Sequence, residues 1–473
     1  MFTSEPRDSV RLSLLAGVLL LAAVTMAGAA PKSVVFGADQ EVGGEGTSQA
    51  NPSIAFNPVD SSELVVAFVD TYSAGSIPAA ACRTAFRTVA GWQTGDAVPL
   101  ELPAGATSVT CGFPAIAGDE SGSFYVAYLK GISAPGRFDS EVFVAKSTDG
   151  GESFSSSSMI FDGVSGRADT PSIAVDNWAG SPFRGRVYVA YTNFGFGTTE
   201  SMQAAFSRDG GATWSAPQDI SVPVDKETPV GANVVVAPNG SVFVFWSSFL
   251  HSSSKKLSIL FTRSDDGGIT WVREDSVASH LPSPGFFRLK NEDPLFMVSP
   301  FAGIAANSNP SAAVGPDGTL YLAWTDFKEG SCKSLSSFGD FACANADVRL
   351  SLSKNGGKSW SKPVKVSDES PAGSDQFHPQ IAVHPDGLVS LVWLDRRLDP
   401  DNVDVNTFYT NTSDGVSFLA NVRVSGATST VGSSASLGDR IGLAVAGSEV
   451  DPVWGDLRTG TLGLFTAKGS LAP

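Results

Sequence analysis

Arginines and aspartates recur at matching places late in the chain, and they are the residues best suited to do chemistry. The strings DRR from Asp395 and DLR from Asp456 each place a carboxylate beside guanidinium groups. A guanidinium fork binds a carboxylate through two hydrogen bonds. Paired carboxyls about 5 to 10 Å apart act as acid and base in glycosidases. The residue types therefore favour a site for an acidic sugar, with these candidates for binding it: Arg396, Arg397, Arg440, Arg458 and His378.

Three aspartates at the ends of apolar segments are the candidate general acid or base: Asp70, Asp395 and Asp456. A structural alternative stays open for all these residues. An aspartate at the end of a strand can cap a turn, and a nearby arginine can pair with it inside the fold. For His378 the alternative is a loop histidine with its hydrogen bonds satisfied. Arg440 is the favoured functional member of the set.

Metal and nucleotide chemistry find little support in the sequence. No pair of the H-x-x-x-H type occurs among the four histidines, which are His251, His280, His378 and His384. Asp399, Asp401 and Asp404 could hold Ca²⁺, but their spacing is not that of an EF-hand loop. We therefore predict a solvated acidic loop there, with no metal and no other cofactor. The chain has no G-x-S-x-G elbow, phosphate-binding loop or dinucleotide fingerprint.

One sequence pattern recurs seven times, and it predicts the strands and turns that must position these residues. Each copy is a short strand that opens with proline, a turn, and a second strand that ends in an aromatic and a polar residue. Arg440 replaces the proline in the last copy. The copies cover residues 51–70, 112–130, 170–193, 228–248, 309–326, 378–395 and 439–456. PDG and PNG joints indicate tight hairpins, and the period of about 60 residues fits a four-stranded blade.

A second motif, S-x-D-x-G-x-x-W/F, follows the third strand of most copies. Its Asp accepts hydrogen bonds from its own turn, its Gly permits a positive φ, and its aromatic packs under the hairpin. Three copies match fully, one has Asn for Asp, and one is a residue short. We expect the polar residues at this position to brace turns rather than to catalyse: Asp149, Asp209, Asp266, Asn355 and Asp414.

This motif is the Asp-box, or BNR repeat, and the chain resembles the sialidase-like β-propeller superfamily over nearly its whole length. We predict an all-β propeller of seven four-stranded blades, with six, the number typical of sialidases, as the alternative. The seventh unit lacks a fourth strand, which residues 33–39 can supply to close the ring. The resemblance implies an exo-glycosidase that acts on acidic sugars at the channel mouth. The alternative is a non-catalytic surface propeller that binds a glycan or a protein.

The chain departs from the catalytic pattern of sialidases at several positions. The R-I-P motif of that family opens its first blade, where this chain has N-P-S from Asn51. R-I-G from Arg440 is a partial match. The tyrosine nucleophile has no counterpart either, because the one late tyrosine, Tyr409, lies on a third strand just before an Asp-box. The sequence therefore leaves open whether the protein is an enzyme.

Strand topology predicts where a site must lie. The starts of the first strands and the ends of the second strands share one face of the disc, around the channel mouth, and the Asp-boxes lie on the other face. Two insertions overhang the mouth face, at residues 277–308 and 327–347. Long loops in a compact repeat fold often carry binding function. The first strands start with these polar residues: Asn51, Asp169, Glu227, Asn309, His378, Asp439 and Arg440.

Composition narrows the classes of partner. The chain has 473 residues, 42% of them apolar and 17% charged, and a formal net charge of −16. A protein this acidic lacks the basic face that nucleic-acid binding requires. An aromatic content of 10% supports a large core. We expect a monomer whose partner is a glycan or another cell-surface ligand, and no nucleic acid.

The first 29 residues predict a signal peptide. Two arginines precede an apolar run over residues 12–26, and Ala27 and Ala29 supply the small residues of a cleavage site. The run is shorter than the roughly 20 residues that a membrane helix needs, although a single anchor is the alternative. We expect an exported protein, secreted, periplasmic or at the cell surface, in which residues 30–473 form one propeller domain without a membrane span.

Export makes the four cysteines informative. An even number of cysteines in an oxidising compartment favours disulfides, and four cysteines allow three connectivities. Because cysteines close in sequence pair with the smallest entropic cost, we favour the pairs Cys82–Cys111 and Cys332–Cys343. The spacings do not fit C-x-x-C metal or redox chemistry.

Overall fold

Seven antiparallel sheets form a ring in the computed structural model, which confirms the predicted seven-bladed β-propeller. The described residues contain no α-helix. The predicted signal peptide and most of the first insertion lie outside them. The structure describes residues 31–44, 47–74, 77–154, 157–196, 200–222, 227–250, 256–272, 274–282, 308–327, 332–334, 341–343, 345–369, 373–431 and 437–473.

Each blade runs from an inner strand at the channel to an outer strand at the rim. Blade 1 comprises Ser48–Phe56, Leu64–Ala74, Ile77–Thr88 and Gly91–Ala97. Blade 2 comprises Ser108–Gly118, Phe124–Ala134, Arg137–Ser147 and Ser157–Phe161. Blade 3 comprises Gly166–Val175, Val187–Gly195, Ser201–Ser207 and Gln218–Asp219. Blade 4 comprises Glu227–Val236, Val242–Leu250, Lys256–Ser264 and Asp275–Pro282. Blade 5 comprises Ser311–Val314, Leu320–Asp326, Asp347–Ser353 and Val364–Lys365. Blade 6 comprises Gln376–Val383, Val389–Asp395, Asn406–Thr412 and Val422–Arg423. Blade 7 contributes Gly442–Ala446, Glu449–Asp456 and Gly463–Thr466 from the C-terminal end of the chain.

An N-terminal strand closes the ring, as predicted, but it is a different segment from the one predicted. Gln40–Val42 is the outer strand of blade 7 and pairs with Gly463–Thr466. None of the predicted segment, residues 33–39, is in this outer strand; within that segment, Val34–Phe36 pairs with Gly469–Leu471 instead. After the third strand of blade 7, the chain forms one more strand, Gly469–Leu471. The free edge of that strand pairs with Val34–Phe36, the earlier part of the N-terminal segment.

The second strand of each blade forms the core, and the Asp-box turns join neighbouring blades. Gly357 of the fifth blade has a φ of 84°, and a Cβ there would lie 2.6 Å from Phe261 of the fourth. The box aspartates brace their own turns: Asp209 accepts from the Thr213 backbone at 2.9 Å. Hydrogen bonds, chiefly from the Thr213 side chain, lower the pKa of Asp209 to about 2. Four core tryptophans are under 2% exposed: Trp246, Trp324, Trp393 and Trp454.

One of the two expected disulfides is present. Cys82 and Cys111 are bonded and buried, with 5.4 Å between their Cα atoms, and they join the third strand of blade 1 to the inner strand of blade 2. Cys332 lies opposite Cys343 in a two-stranded ladder. Their side chains lie outside the described part of the structure, so that pairing stays a prediction. In the part of the chain that is described, no helix has the length and apolar character needed to cross a membrane.

Removal of the Cys82–Cys111 disulfide should lower the free energy of unfolding. Loop-closure entropy for its sequence separation of 29 gives a loss of roughly 3–4 kcal/mol. The test is urea unfolding of the Cys82→Ala/Cys111→Ala variant, with chemically reduced wild type as the control that should unfold at the same urea concentration. An unchanged midpoint would show that the bond does not restrain the unfolded chain.

Candidate functional site

The central channel contains a cavity of about 290 Å³ that is lined by the inner strands of all seven blades. Ligand pockets in proteins start at about 300 Å³, so this cavity has the size for one small polar molecule such as a monosaccharide. Each blade contributes to the wall, and the lining residues include Pro52, Phe113, Thr170, Gly231, Asn309, His378 and Arg440.

A β-bulge interrupts the inner strands of blades 1, 2, 3, 4 and 6 at the same place, where they line the channel. The pairing register shifts there by an extra residue, for example between Ala50 and Ser53 and between Asp169 and Ser172. Proline cannot donate to the ladder, and a bulge is one of the few strand positions that accept it. The first bulge residue has a positive φ in each of these blades: Asn51, Phe113, Thr170, Gly231 and His378.

Blade 4 differs from the sequence alignment of the repeats. The alignment put the proline of this copy, Pro229, at the position of the other prolines. In the structure the register shifts between Val230 and Asn233, so Gly231 starts the bulge and Pro229 precedes it. Glycine adopts the required positive φ without steric cost, so a following proline is not needed there.

Hydrogen bonds between neighbouring inner strands fix the cavity wall. At the residue after the bulge in blades 1, 3 and 4, and at Ser311 of blade 5, a side-chain oxygen accepts a backbone N–H from the next blade. The pairs, at 3.1 to 3.2 Å, are Ser53 with Ile116, Ser172 with Val234, Asn233 with Ala312 and Ser311 with Ile381. These bonds hold the wall in one geometry before any ligand arrives, which lowers the entropic cost of binding.

Arg440 crosses the channel. It starts on blade 7, and its Nη2 donates to the carbonyl oxygen of Pro114 on blade 2. Burial lowers its pKa to about 10, and the carboxylates of Asp439 and Asp169 oppose that shift. Arg440 therefore stays charged at neutral pH. Within the described residues its buried Nε has no hydrogen-bond partner.

Two carboxyls accompany this arginine. Burial raises the pKa of Asp169 to about 7; Asp439 adds to the shift, while the Thr170 backbone and Arg440 oppose it. Burial also raises the pKa of Asp439, against the charge of Arg440 and a hydrogen bond with Asn51. The cluster therefore joins one permanent cation to two carboxyls that are harder to ionise than usual, an arrangement found at acid–base sites.

The other three candidate arginines, Arg396, Arg397 and Arg458, are paired with carboxylates of the protein. Arg397 contacts Asp395 at 2.8 Å and Asp368 at 2.7 Å. Arg458 contacts Asp456 at 2.5 Å and also pairs with Asp39. Arg396 is 1% exposed, and its Nη1 lies 3.5 Å from a carboxylate oxygen of Asp375. None of the three lines the cavity.

The three candidate acids have similar partners. Asp395 accepts from the Trp393 indole at 2.8 Å, and Asp456 from the Trp454 indole at 3.1 Å, so W-x-D-x-R forms the same clamp in blades 6 and 7. Asp70 pairs with Arg83 at 2.9 Å. These contacts support a structural role for the clamp aspartates.

The remaining candidates fall in different environments. His378 lines the cavity and is 4% exposed. Tyr409 is 1% exposed, lies 2.7 Å from the Ser390 hydroxyl, and has a pKa that burial raises to about 12, so it belongs to the core. Asp399 accepts three backbone N–H groups of its own loop. Among the described residues, no cluster of three or more His, Cys, Asp or Glu is placed to hold a metal ion.

Residues 133–372, just over half of the chain, match the BNR repeat-like domain. The chain belongs to this BNR repeat-like family. Sequence comparison with curated proteins finds no match. Among solved structures, a protein of unknown function from Dyadobacter fermentans is similar, with 14% identity, a TM-score of 0.50, and coverage of 93% of this chain and 99% of that one.

Two other solved structures are similar to this BNR repeat-like protein. An ulvan lyase, from a new family of polysaccharide lyases, has 10% identity, a TM-score of 0.52, and coverage of 90% of this chain and 95% of that one. A Hadza microbial sialidase has 14% identity, a TM-score of 0.46, and coverage of 92% and 94%. The identity with the ulvan lyase is so low that the similarity shows the shared fold alone.

Sequence reasoning placed Asp169 and Asp439 at the starts of inner strands of this BNR repeat-like protein but gave them no role. The signal was their position beside the bulge: Asp169 precedes Thr170-Pro171, and Asp439 precedes Arg440. Their grouping depends on the reach of one side chain across the ring, which sequence spacing does not reveal.

The raised pKa of Asp169 predicts a pH-dependent stability. The neutral carboxyl is favoured in the folded state, so the stabilising contribution of Asp169 is complete below pH 3.8 and is lost as the pH rises through about 7. Asp169→Asn should remove this dependence. We expect thermal unfolding to show the variant gaining a few degrees relative to wild type between about pH 5 and about pH 8.5. Asp401→Asn, at an exposed position, is the control, and parallel pH profiles for wild type and Asp169→Asn would contradict the assignment.

Proposed function

We propose that this BNR repeat-like propeller is an exported exo-glycosidase that acts on acidic sugars at the channel cavity. The observation that carries the proposal is Arg440, a charged guanidinium that spans the cavity and has a buried, unpaired Nε–H within the described residues. A guanidinium binds a carboxylate through charge-assisted and often bidentate hydrogen bonds. The Cys82–Cys111 disulfide is consistent with an oxidising compartment, which supports export.

Asp169 is the proposed general acid. A carboxyl with a pKa of about 7 keeps part of its population protonated at neutral pH and can give its proton to the glycosidic oxygen as the bond to the leaving sugar breaks. Asp439 is the proposed base, which takes a proton from the water that attacks the anomeric carbon. His378 supplies a further polar group in the cavity wall.

A second candidate is a non-catalytic glycan-binding propeller. The position of Tyr409 favours it, because this tyrosine lies in the core with a pKa of about 12 and does not act at the cavity. A cavity with a cation and a rigid wall binds an acidic sugar whether or not the carboxyls act on it. The two candidates therefore share the ligand and differ in the fate of the glycosidic bond.

Product analysis separates the two candidates. Residues 30–473 are incubated with sialylated and uronate-containing glycans, and products are followed by mass spectrometry, with retention on a glycan array measured in parallel. A hydrolytic product supports the glycosidase, and an unsaturated product, lighter by one water, indicates lyase chemistry. Retention without products supports the binding module. The absence of both would contradict the proposal.

A further inference from the structure

Two phenylalanine rings are exposed near the channel mouth. Phe138 is 49% exposed and Phe196 is 47% exposed. The guanidinium carbon of Arg167 lies 6.0 Å from the ring centre of Phe138 and 5.7 Å from that of Phe196. The three side chains therefore form one cluster, which we call the aromatic platform.

The aromatic platform lies on the mouth face and is joined to the cavity wall by the inner strand of blade 3. Phe138 is the second residue of the third strand of blade 2, opposite Ser133, and Phe196 follows the second strand of blade 3. Arg167 is three residues before Thr170, which lines the cavity, on the same inner strand. At about 3.3 Å per strand residue, the platform is roughly 10 Å from the cavity wall.

The chemistry of the aromatic platform suits a sugar ring. The face of an aromatic ring carries partial negative charge, and the C–H groups on one face of a pyranose carry partial positive charge. A phenylalanine has only two side-chain torsions, so it gives up little conformational entropy when a ligand stacks on it. Arg167 packs over both rings and restrains them further.

A protein partner fits the aromatic platform less well. A specific protein interface buries about 1,200–2,000 Å² in total, with several large apolar anchors at its centre. Among the residues that the structure describes, the nearest additional exposed large apolar side chain in sequence is Val164, in the loop before the inner strand of blade 3. The platform is therefore closer in size to one or two sugar rings than to a protein docking surface.

We infer that the aromatic platform binds a second part of the glycan, the sugar units that follow the acidic sugar in the cavity. This inference rests on the proposed function, because it requires the terminal sugar to sit beside Arg440. It also names the substrate class. The ligand is an oligosaccharide or polysaccharide with an acidic terminal sugar, and a free monosaccharide or a short glycoside uses only part of the site.

Chain-length dependence of binding tests the inference. Residues 30–473 are titrated with monomers and tetramers of galacturonate, glucuronate and α2,8-linked sialic acid. We expect the preferred tetramer to bind about tenfold more tightly than its monomer, which corresponds to about 1.4 kcal/mol. Phe196→Leu and Phe138→Leu should remove this advantage without changing monomer affinity, while Phe196→Tyr should retain it, since tyrosine keeps the ring.

The control is Val416→Ala, which removes a 60% exposed apolar side chain from the Asp-box turn of blade 6, on the opposite face. This variant should bind both lengths as wild type does. Equal affinity for tetramer and monomer, or a tetramer advantage that survives both leucine variants, would overturn the platform and leave the cavity proposal standing. Failure of every probe to bind would instead overturn the proposed function.

Discussion

Replacement of Arg440 by alanine should lower the affinity for acidic sugars by roughly 100-fold, because two charge-assisted hydrogen bonds to the sugar carboxylate are lost. The positive charge of Arg440 also contributes to the electrostatic potential inside the cavity. Without it, the carboxyls of Asp169 and Asp439 lose the one charge that favours their ionised forms. The measurement is calorimetric titration with the acidic sugar that wild type prefers.

Arg440→Lys separates charge from geometry. Lysine keeps the positive charge but cannot present two parallel N–H donors, so we expect an intermediate loss of affinity. Arg423→Ala removes an exposed arginine from the rim of blade 6 and should leave the affinity unchanged. Circular dichroism and thermal unfolding establish that each variant is folded. Wild-type affinity in a folded Arg440→Ala variant would contradict the proposed site.

Replacement of Asp395 by alanine should destabilise the protein by about 3–5 kcal/mol, the usual cost of breaking a buried ion pair from one side. Asp395 is fully buried, and it accepts hydrogen bonds from the indole of Trp393 and from the guanidinium of Arg397. Both donors would lose this acceptor. Burial outweighs the charge of Arg397 and raises the pKa of Asp395, so its ionised form depends on this partner.

Urea unfolding of three variants tests this clamp. Asp456→Ala should behave as Asp395→Ala does, because blade 7 repeats the same contacts with Trp454 and Arg458. Asp401→Ala, at an exposed position in the same blade as Asp395, should be close to wild type. A catalytic role for Asp395 predicts the opposite pattern: Asp395→Asn would stop sugar release with no loss of stability.

The blades could be predicted because their determinants are local. Each tight hairpin and each Asp-box lies within about ten residues, and the seven copies reinforce one another. The closing strand could be predicted only in part. Because blade 7 lacks its own outer strand, an N-terminal strand had to supply it. Which segment does so depends on Gly469–Leu471, which pairs with Val34–Phe36 and leaves Gln40–Val42 for blade 7. The repeat pattern does not contain this additional strand.

The site could not be predicted to the same degree, because its determinants are long-range. Arg397 and Arg440 are both arginines in neighbouring blades, and the sequence does not tell which of the two guanidinium groups forms an ion pair with a carboxylate of its own blade. Arg397 meets Asp395 two residues away, whereas Arg440 reaches Pro114, more than 300 residues away in sequence. The pKa of Asp169 is raised chiefly by burial, and the charges of Asp439 and Arg440 from a distant blade contribute smaller, opposing shifts.

Binding of matched acidic and neutral sugars tests the central claim most directly. Residues 30–473 and the Arg440→Ala variant are titrated with methyl glycosides of glucuronate and glucose, and of galacturonate and galactose, with methyl sialoside and its carboxamide as a third pair. We predict that wild type binds at least one acid more than tenfold more tightly than its neutral partner, and that the preference disappears in Arg440→Ala. Equal binding of acid and neutral partner, or an acid preference that persists without Arg440, would contradict the account.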